Sequence, residues 1–262
     1  MVLALSVLAA GCATGPTESG APPAADESVR EPVGVSTGLA ATASSCTVPR
    51  RLVGVEVERL PVTDRVVALT FDAGANADGV RPVLRVLRNR HVPATFFLTG
   101  RFVQRFPVLA RRIADEHLVG NHTLTHPDLT TLSDRAVAGE VRRAERVILR
   151  RTGEDPRRFF RFPYGARDAR TIGLVNDLCY VPFRWTVDTL GWKGTSGGMS
   201  TDEVVRRVVD AAEPGAVVLM HVGSNPDDGT TLDADALPRV VRQLRLRDYE
   251  LVRLARVLGP RP

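Results

Sequence analysis

The sequence predicts an α/β fold, a distorted (β/α) barrel of about seven βα units. Apolar runs of strand length alternate with longer runs whose apolar residues recur at helical spacing. That alternation implies a mostly parallel sheet covered by helices, and the number of units suggests closure. The length, 262 residues, is enough for one such barrel to bury a sizeable core.

Taken in order, Val66–Phe71 reads as the first strand and Val80–Arg90 as a helix with Val80, Val83, Leu84 and Leu87 on one side. Ala94–Leu98 is the next strand, Pro107–Glu116 a helix, and Leu118–Gly120 a short extended piece. Ser133 is placed to cap a long helix to about Thr152, which Gly153 ends. Strands are expected at Phe159–Arg161, Val181–Val187, Ala216–His221 and Glu250–Arg253, with helices near Asp168–Leu178, Thr201–Ala212 and Asp235–Leu246. No internal repeat is evident.

Before this pattern lie three segments of different character. Val2–Ala10 is apolar but too short to span a bilayer, and Leu8-Ala9-Ala10-Gly11-Cys12 resembles a bacterial lipobox, so residues 1–12 read as a signal peptide. The expectation is export, with a lipid anchor at Cys12 or, in the alternative, plain secretion. Residues 13–45 are rich in Gly, Ala, Pro, Ser and Thr and read as a disordered tether. Residues 46–64 form a lead-in, and 65–258 the folded domain. In an oxidising compartment Cys46 and Cys179 could pair, or Cys179 could stay a buried free thiol.

The net charge is +5, carried almost wholly by arginine, since Lys193 is the only lysine. The arginines are scattered over helix faces without interleaved aromatics, which argues against nucleic-acid binding.

Polar residues collect where strands end. Asp72, Arg161, Asp188 and His221 each stand at or just past the C-terminal end of an expected strand, the ends at which a parallel βα scaffold gathers reacting groups. His122 and His126 are four apart; on a helical turn both imidazoles would reach one metal ion. Alone, such a pair would as well be surface or N-cap histidines. Arg161 is a natural partner for a carboxylate, with Asp72 a candidate. Asp188 could hydrogen-bond His221, hold its tautomer and raise its pKa as a general acid requires. Trp192, flanked by Gly191, Lys193 and Gly194, suggests an exposed loop where a ring could stack on a sugar.

These residues fall in five ordered motifs: TFDAG at 70–74, HTLTH at 122–126, RFPY at 161–164, DTLGW at 188–192 and LMH at 219–221. Together they resemble the polysaccharide deacetylases with the NodB-homology domain, carbohydrate esterase family four, over roughly Val66 to Val257. The resemblance implies a distorted barrel and removal of an N- or O-acetyl group from a saccharide with a divalent metal, zinc first and cobalt as another possibility. It implies that His122 and His126 hold the metal, Asp72 is the general base oriented by Arg161, and the Tyr164 backbone N–H binds the oxyanion. His221, supported by Asp188, would protonate the departing amine, and Trp192 would contact substrate.

One position departs from the family pattern: its second, metal-binding aspartate is Ala73 here. Water could fill the gap, Asp72 could become the third ligand, or Asn76 or Asp78 could swing in; an Ala73→Asp variant is then expected to bind metal more tightly. The substrate implied is an acetylated polysaccharide, peptidoglycan ahead of chitin-like or other glycans. The alternative is a non-catalytic glycan-binding lipoprotein with a degenerate site. An amidase of stem peptides has only the HxxxH spacing in its favour.

Overall fold

A computed structural model describes residues 48–258, all within one compact unit of the chain, Ala43–Pro262. The expected signal peptide, lipobox and tether lie outside the described residues, as does Cys46.

The strands are β1 (Val66–Ala73), β2 (Thr95–Leu98), β3 (Leu118–Asn121), β4 (Arg158–Phe160), β5 (Tyr180–Pro182), β6 (Val187–Asp188), β7 (Ala216–His221) and β8 (Glu250–Leu251). The helices are α1 (Val80–Asn89), α2 (Gly100–Arg105), α3 (Pro107–Glu116), α4 (Asp134–Thr152), α5 (Ala169–Asp177), α6 (Thr201–Asp210) and α7 (Leu232–Arg245). All ladders are parallel, in the order β5-β4-β3-β2-β1-β7-β6, with β8 beside the start of β1. The order is linear, so the barrel is distorted: among the described residues no ladder joins β5 to β6.

Alternation along β1 explains both the core and the site. Val67, Leu69, Phe71 and Ala73 face the helices, in a cluster with Val83, Leu84, Leu87 and Val240. Val66 and Ala68 face inward, packed with Phe97, Phe159, Phe183 and Leu254. Continuing at period two, Thr70 and Asp72 follow onto the inner face, above that apolar plug. The lead-in closes the plug from below: Val57 bridges Phe183, and Leu60 donates its N–H to the Gly215 carbonyl.

The long helix α4 begins and ends as its residues dictate. The Ser133 hydroxyl accepts from the Ala136 N–H, and Gly153 stops it in the left-handed region at φ 79°. Three elements differ from expectation with consequence. The expected strand Val181–Val187 is two strands, β5 and β6, at opposite edges of the sheet, because the chain leaves the β4 ladder after Pro182 and rejoins the sheet beside β7. Helix α2, capped by Thr99, was not foreseen, because its six residues are too few to show a periodicity. Helix α7 starts at Leu232 rather than Asp235, which takes Asp233 into its first turn. Cys179 is disulfide-bonded, so the free-thiol reading does not hold; its partner lies outside the described residues.

Candidate active site

The expected polar residues meet in one cleft of about 760 Å³ at the C-terminal ends of the strands. Asp72, His122, His126, Tyr164, Asp188, Trp192 and His221 all line it, while Arg161 stands beneath as a wholly buried side chain.

Asp72 and Arg161 form its floor. Arg161 Nη1 donates to Asp72 Oδ1 at 2.8 Å and to Thr70 Oγ1 at 2.9 Å. Its other nitrogens donate to the carbonyls of Phe183 (3.2 Å) and Arg184 (3.0 Å), and the guanidinium lies 4.2 Å from the Phe97 ring centroid. Burial pushes the Asp72 carboxyl up, but Arg161, His122 and His221 outweigh it and hold the group below its ordinary value.

The imidazole pair is built differently from the expected helical turn. His122 follows β3, and the chain then runs through a loop in which Thr123 (φ 67°) and His126 (φ 65°) are left-handed. A helix would not allow this; the loop bends the two rings onto each other, their Nε2 atoms 3.1 Å apart. Such conformations in non-glycine residues cost roughly 1–2 kcal/mol each, and local bonds offset them. Asn121 Oδ1 accepts from the Thr123 N–H, Thr123 Oγ1 from the His126 N–H, and the Glu140 carboxylate from the N–H groups of Leu124 and Thr125.

His122 Nδ1 is 2.8 Å from the Arg161 carbonyl, which accepts only, so the proton belongs on Nδ1 and Nε2 keeps its lone pair. Desolvation lowers the pKa of both rings, that of His126 to about 4, with His122 adding to its shift. Both are therefore neutral imidazoles at neutral pH. The 3.1 Å separation is close to that of two nitrogens on one tetrahedral zinc, about 3.3 Å for Zn–N bonds near 2.05 Å. The pair thus fits two corners of a metal site. Among the described residues no group of three or more His, Cys, Asp or Glu surrounds a common point, although Asp72 Oδ2 is only 3.4 Å from His122 Nε2.

Two of the expected stand-ins at the third corner, Asn76 and Asp78, are engaged elsewhere. Asn76 exchanges two hydrogen bonds with the Ser224 backbone, and Asp78 accepts from the Ser224 hydroxyl. Ala73 is fully buried on the helix-facing side of β1 and does not line the cleft.

His221 ends β7 and faces the cleft, but the expected Asp188–His221 hydrogen bond is not formed. Asp188 Oδ1 instead accepts from the Leu190 N–H at 2.9 Å, a local turn bond its position at the end of the short strand β6 favours. The carboxylate nearest His221 is Asp233: its Oδ2 accepts the His221 backbone N–H at 2.8 Å and lies 3.7 Å from Nδ1. Burial lowers the His221 pKa, but Asp233, Asp72 and Asp188 together overcome it and leave the ring raised.

Tyr164 is exposed, in a left-handed conformation at φ 60°, its ring 4.6 Å from that of His126. Trp192 is 47% exposed on a 3-10 turn, as expected of a ring open to ligand. The loop after His221 braces the turn that carries Trp192: Asn225 Nδ2 donates to the Trp192 carbonyl. Sequence reasoning missed Thr70, Glu140, Trp185, Asp233 and two cleft arginines, Arg101 and Arg105. Only Thr70, two residues before Asp72 on an alternating strand, carried a signal that could have found it.

Comparison with known proteins points the same way. Residues 59–183 match the family model described as polysaccharide deacetylase. The chain is 33% identical over 195 residues to a peptidoglycan-N-acetylglucosamine deacetylase of Bacillus cereus, covering 74% of this chain and 68% of that one. It is 38% identical over 166 residues to a chitooligosaccharide deacetylase of Rhizobium leguminosarum, covering 63% and 75%. Among solved structures, a CE4 family pseudoenzyme from Bacillus anthracis superposes with a TM-score of 0.71 at 28% identity, over 79% of this chain and 69% of the other.

Proposed function

Since the chain belongs to the polysaccharide deacetylase family and is by that membership a deacetylase, we propose that it removes N-acetyl groups from bacterial wall glycan with a divalent metal on His122 and His126. One observation carries the reading: the Asp72–Arg161 pair, the imidazole edge and His221 open on the same cleft.

The roles follow from the surroundings. Asp72 is anionic at neutral pH and sits where it can take the proton of an attacking water, its free oxygen beside the imidazole edge. A carboxylate held below its ordinary value is a weaker base, so the water itself must be made more acidic. A divalent cation bound by two neutral imidazoles would supply that, and would polarise the acetyl carbonyl. Borderline metals such as zinc or cobalt suit nitrogen donors better than magnesium or calcium. Water oxygen adds to the acetyl carbon, the C–N bond breaks, and the amine leaves with a proton from His221, whose raised pKa keeps a proton available. The Tyr164 N–H is our candidate oxyanion donor.

One feature supports wall glycan over chitin. Arg101 and Arg105, one helical turn apart on α2, line the cleft and have no carboxylate partner among the described residues. Chitin is neutral, whereas peptidoglycan carries carboxylates that such a pair would attract. The disulfide at Cys179 supports an exported protein; membrane attachment through Cys12 is part of this proposal and rests on the lipobox-like residues alone.

The test is acetate release from purified peptidoglycan and from N-acetylglucosamine oligomers by protein stripped with EDTA and reloaded with zinc or cobalt. Metal-restored release, faster on peptidoglycan and reduced about 10²-fold or more in Asp72→Asn, is the expected result. Glycan binding without acetate under any metal would overturn it in favour of the non-catalytic binding lipoprotein.

A further inference from the structure

Two of the few buried polar side-chain atoms that lack a hydrogen-bond partner among the described residues are His221 Nδ1 and Asp233 Oδ1. Folded proteins seldom leave such groups unmatched. Here the two residues are neighbours, with Asp233 Oδ2 3.7 Å from His221 Nδ1 and already bonded to the His221 backbone. A small rotation of ring or carboxylate closes a bond between them. Asp233 is only 3% exposed, so its charge has little water to turn to.

The space for this carboxylate is made by a glycine. A Cβ built on Gly191 would stand 2.4 Å from Asp233 Oδ1, 2.6 Å from Cγ and 2.9 Å from Oδ2. Any other residue at 191 would have to displace Asp233 or shift the turn that carries Trp192. Gly191 and Asp233, from a loop and from α7, are thus fitted to each other directly behind His221.

The carboxylates that bear on His221 come from three elements: Asp72 on β1, Asp188 on β6 and Asp233 on α7. Asp72 is taken by Arg161, and Asp188 by the Leu190 N–H. Only Asp233 is placed against the buried Nδ1, which leaves Nε2 as the nitrogen turned to the cleft.

We propose that Asp233, seated in the space left by Gly191, is the positioning carboxylate of His221, holding a proton on Nδ1 so that Nε2 faces the departing nitrogen of the substrate. What His221 then does rests on the deacetylase reading; the pairing itself does not.

Two readouts separate the pairing from the activity. In metal-free protein, at a pH high enough to leave the His221 ring neutral, long-range proton–nitrogen NMR should show the Nδ1–H tautomer in the wild type and a shift towards Nε2–H in Asp233→Asn. An identical tautomer in both would overturn the proposal whether or not the protein deacetylates glycan. In the acetate assay, Asp233→Asn should lower kcat at least about 10-fold with KM little changed. Gly191→Asp alone should be impaired by crowding, while Gly191→Asp combined with Asp233→Ala returns a carboxylate to the same space and should recover part of the lost kcat. A wild type that releases no acetate would sink the deacetylase reading and leave the tautomer result to decide the pairing. An active wild type matched by Asp233→Asn in kcat and tautomer would sink the pairing alone.

Discussion

Arg161 and Asp72 lie 89 positions apart in sequence and form a bond of 2.8 Å in which the guanidinium has no exposure to solvent. The arginine also ties β1 to the backbone beyond β5, through Thr70, Phe183 and Arg184. Orientation of the base and integrity of the barrel floor are therefore one feature. Removing one partner leaves a buried charge uncompensated, so Arg161→Ala should lose about 3–5 kcal/mol of stability. Arg161→Lys keeps the charge but cannot serve four acceptors in a plane, and should fall between. Urea unfolding measures both; a loss below about 1 kcal/mol in the alanine variant would contradict the structural role.

Glu140 never reaches the imidazoles, yet its carboxylate holds the loop between them through the N–H groups of Leu124 and Thr125. Glu140→Ala should weaken zinc binding about 10- to 100-fold, the range typical of outer-sphere supports. Calorimetric titration of zinc into the variant checks this. Unchanged affinity would mean that the loop keeps its shape unaided.

His117 predicts a pH effect remote from the cleft. Its ring packs on Phe96 with both nitrogens buried and unpartnered, and burial lowers its pKa to about 4. The unfolded chain protonates this residue near the ordinary histidine value of 6.5, the folded chain only near 4. Its contribution is complete above that upper value and declines as pH falls towards the lower one, by about 1–3 kcal/mol. His117→Leu should flatten the stability profile across that window while retaining stability at pH 7. Equal slopes for the two proteins in urea titrations would exclude His117 as the source.

Gly120 on β3 admits no side chain. A Cβ there would approach the Phe97 ring to 2.6 Å and the Phe159 carbonyl to 3.0 Å. Gly120→Ala should destabilise by about 1–3 kcal/mol through overpacking. A thermal midpoint matching the wild type would show that Phe97 can move aside without loss.

Much of the site could be read from the chain because it follows strand periodicity. Asp72, Arg161, Asp188 and His221 were placed by finding where apolar runs stop, and parallel strands bring those stops to one face. The Asp72–Arg161 pairing was anticipated on chemistry alone, a buried carboxylate needing a cation. The imidazoles were found by spacing but assigned the wrong backbone, since four-residue spacing suits a helical turn while two left-handed residues achieve the same convergence in a loop. Asp233 lies outside the five motifs and just before the expected helix, so nothing in the sequence ties it to His221.

The sequence by itself determined the βα order, the family, and the residue types that face one another in the cleft. Strand alternation and five ordered motifs are local and survive as one-dimensional patterns. Only the tertiary structure decided which carboxylate stands behind His221 and which one holds the histidine loop. Those choices depend on contacts between elements far apart in the chain: α7 against the turn at Gly191, and α4 against the loop after β3. No periodicity encodes such contacts, because they arise from packing in three dimensions, where the absence of one side chain makes room for another.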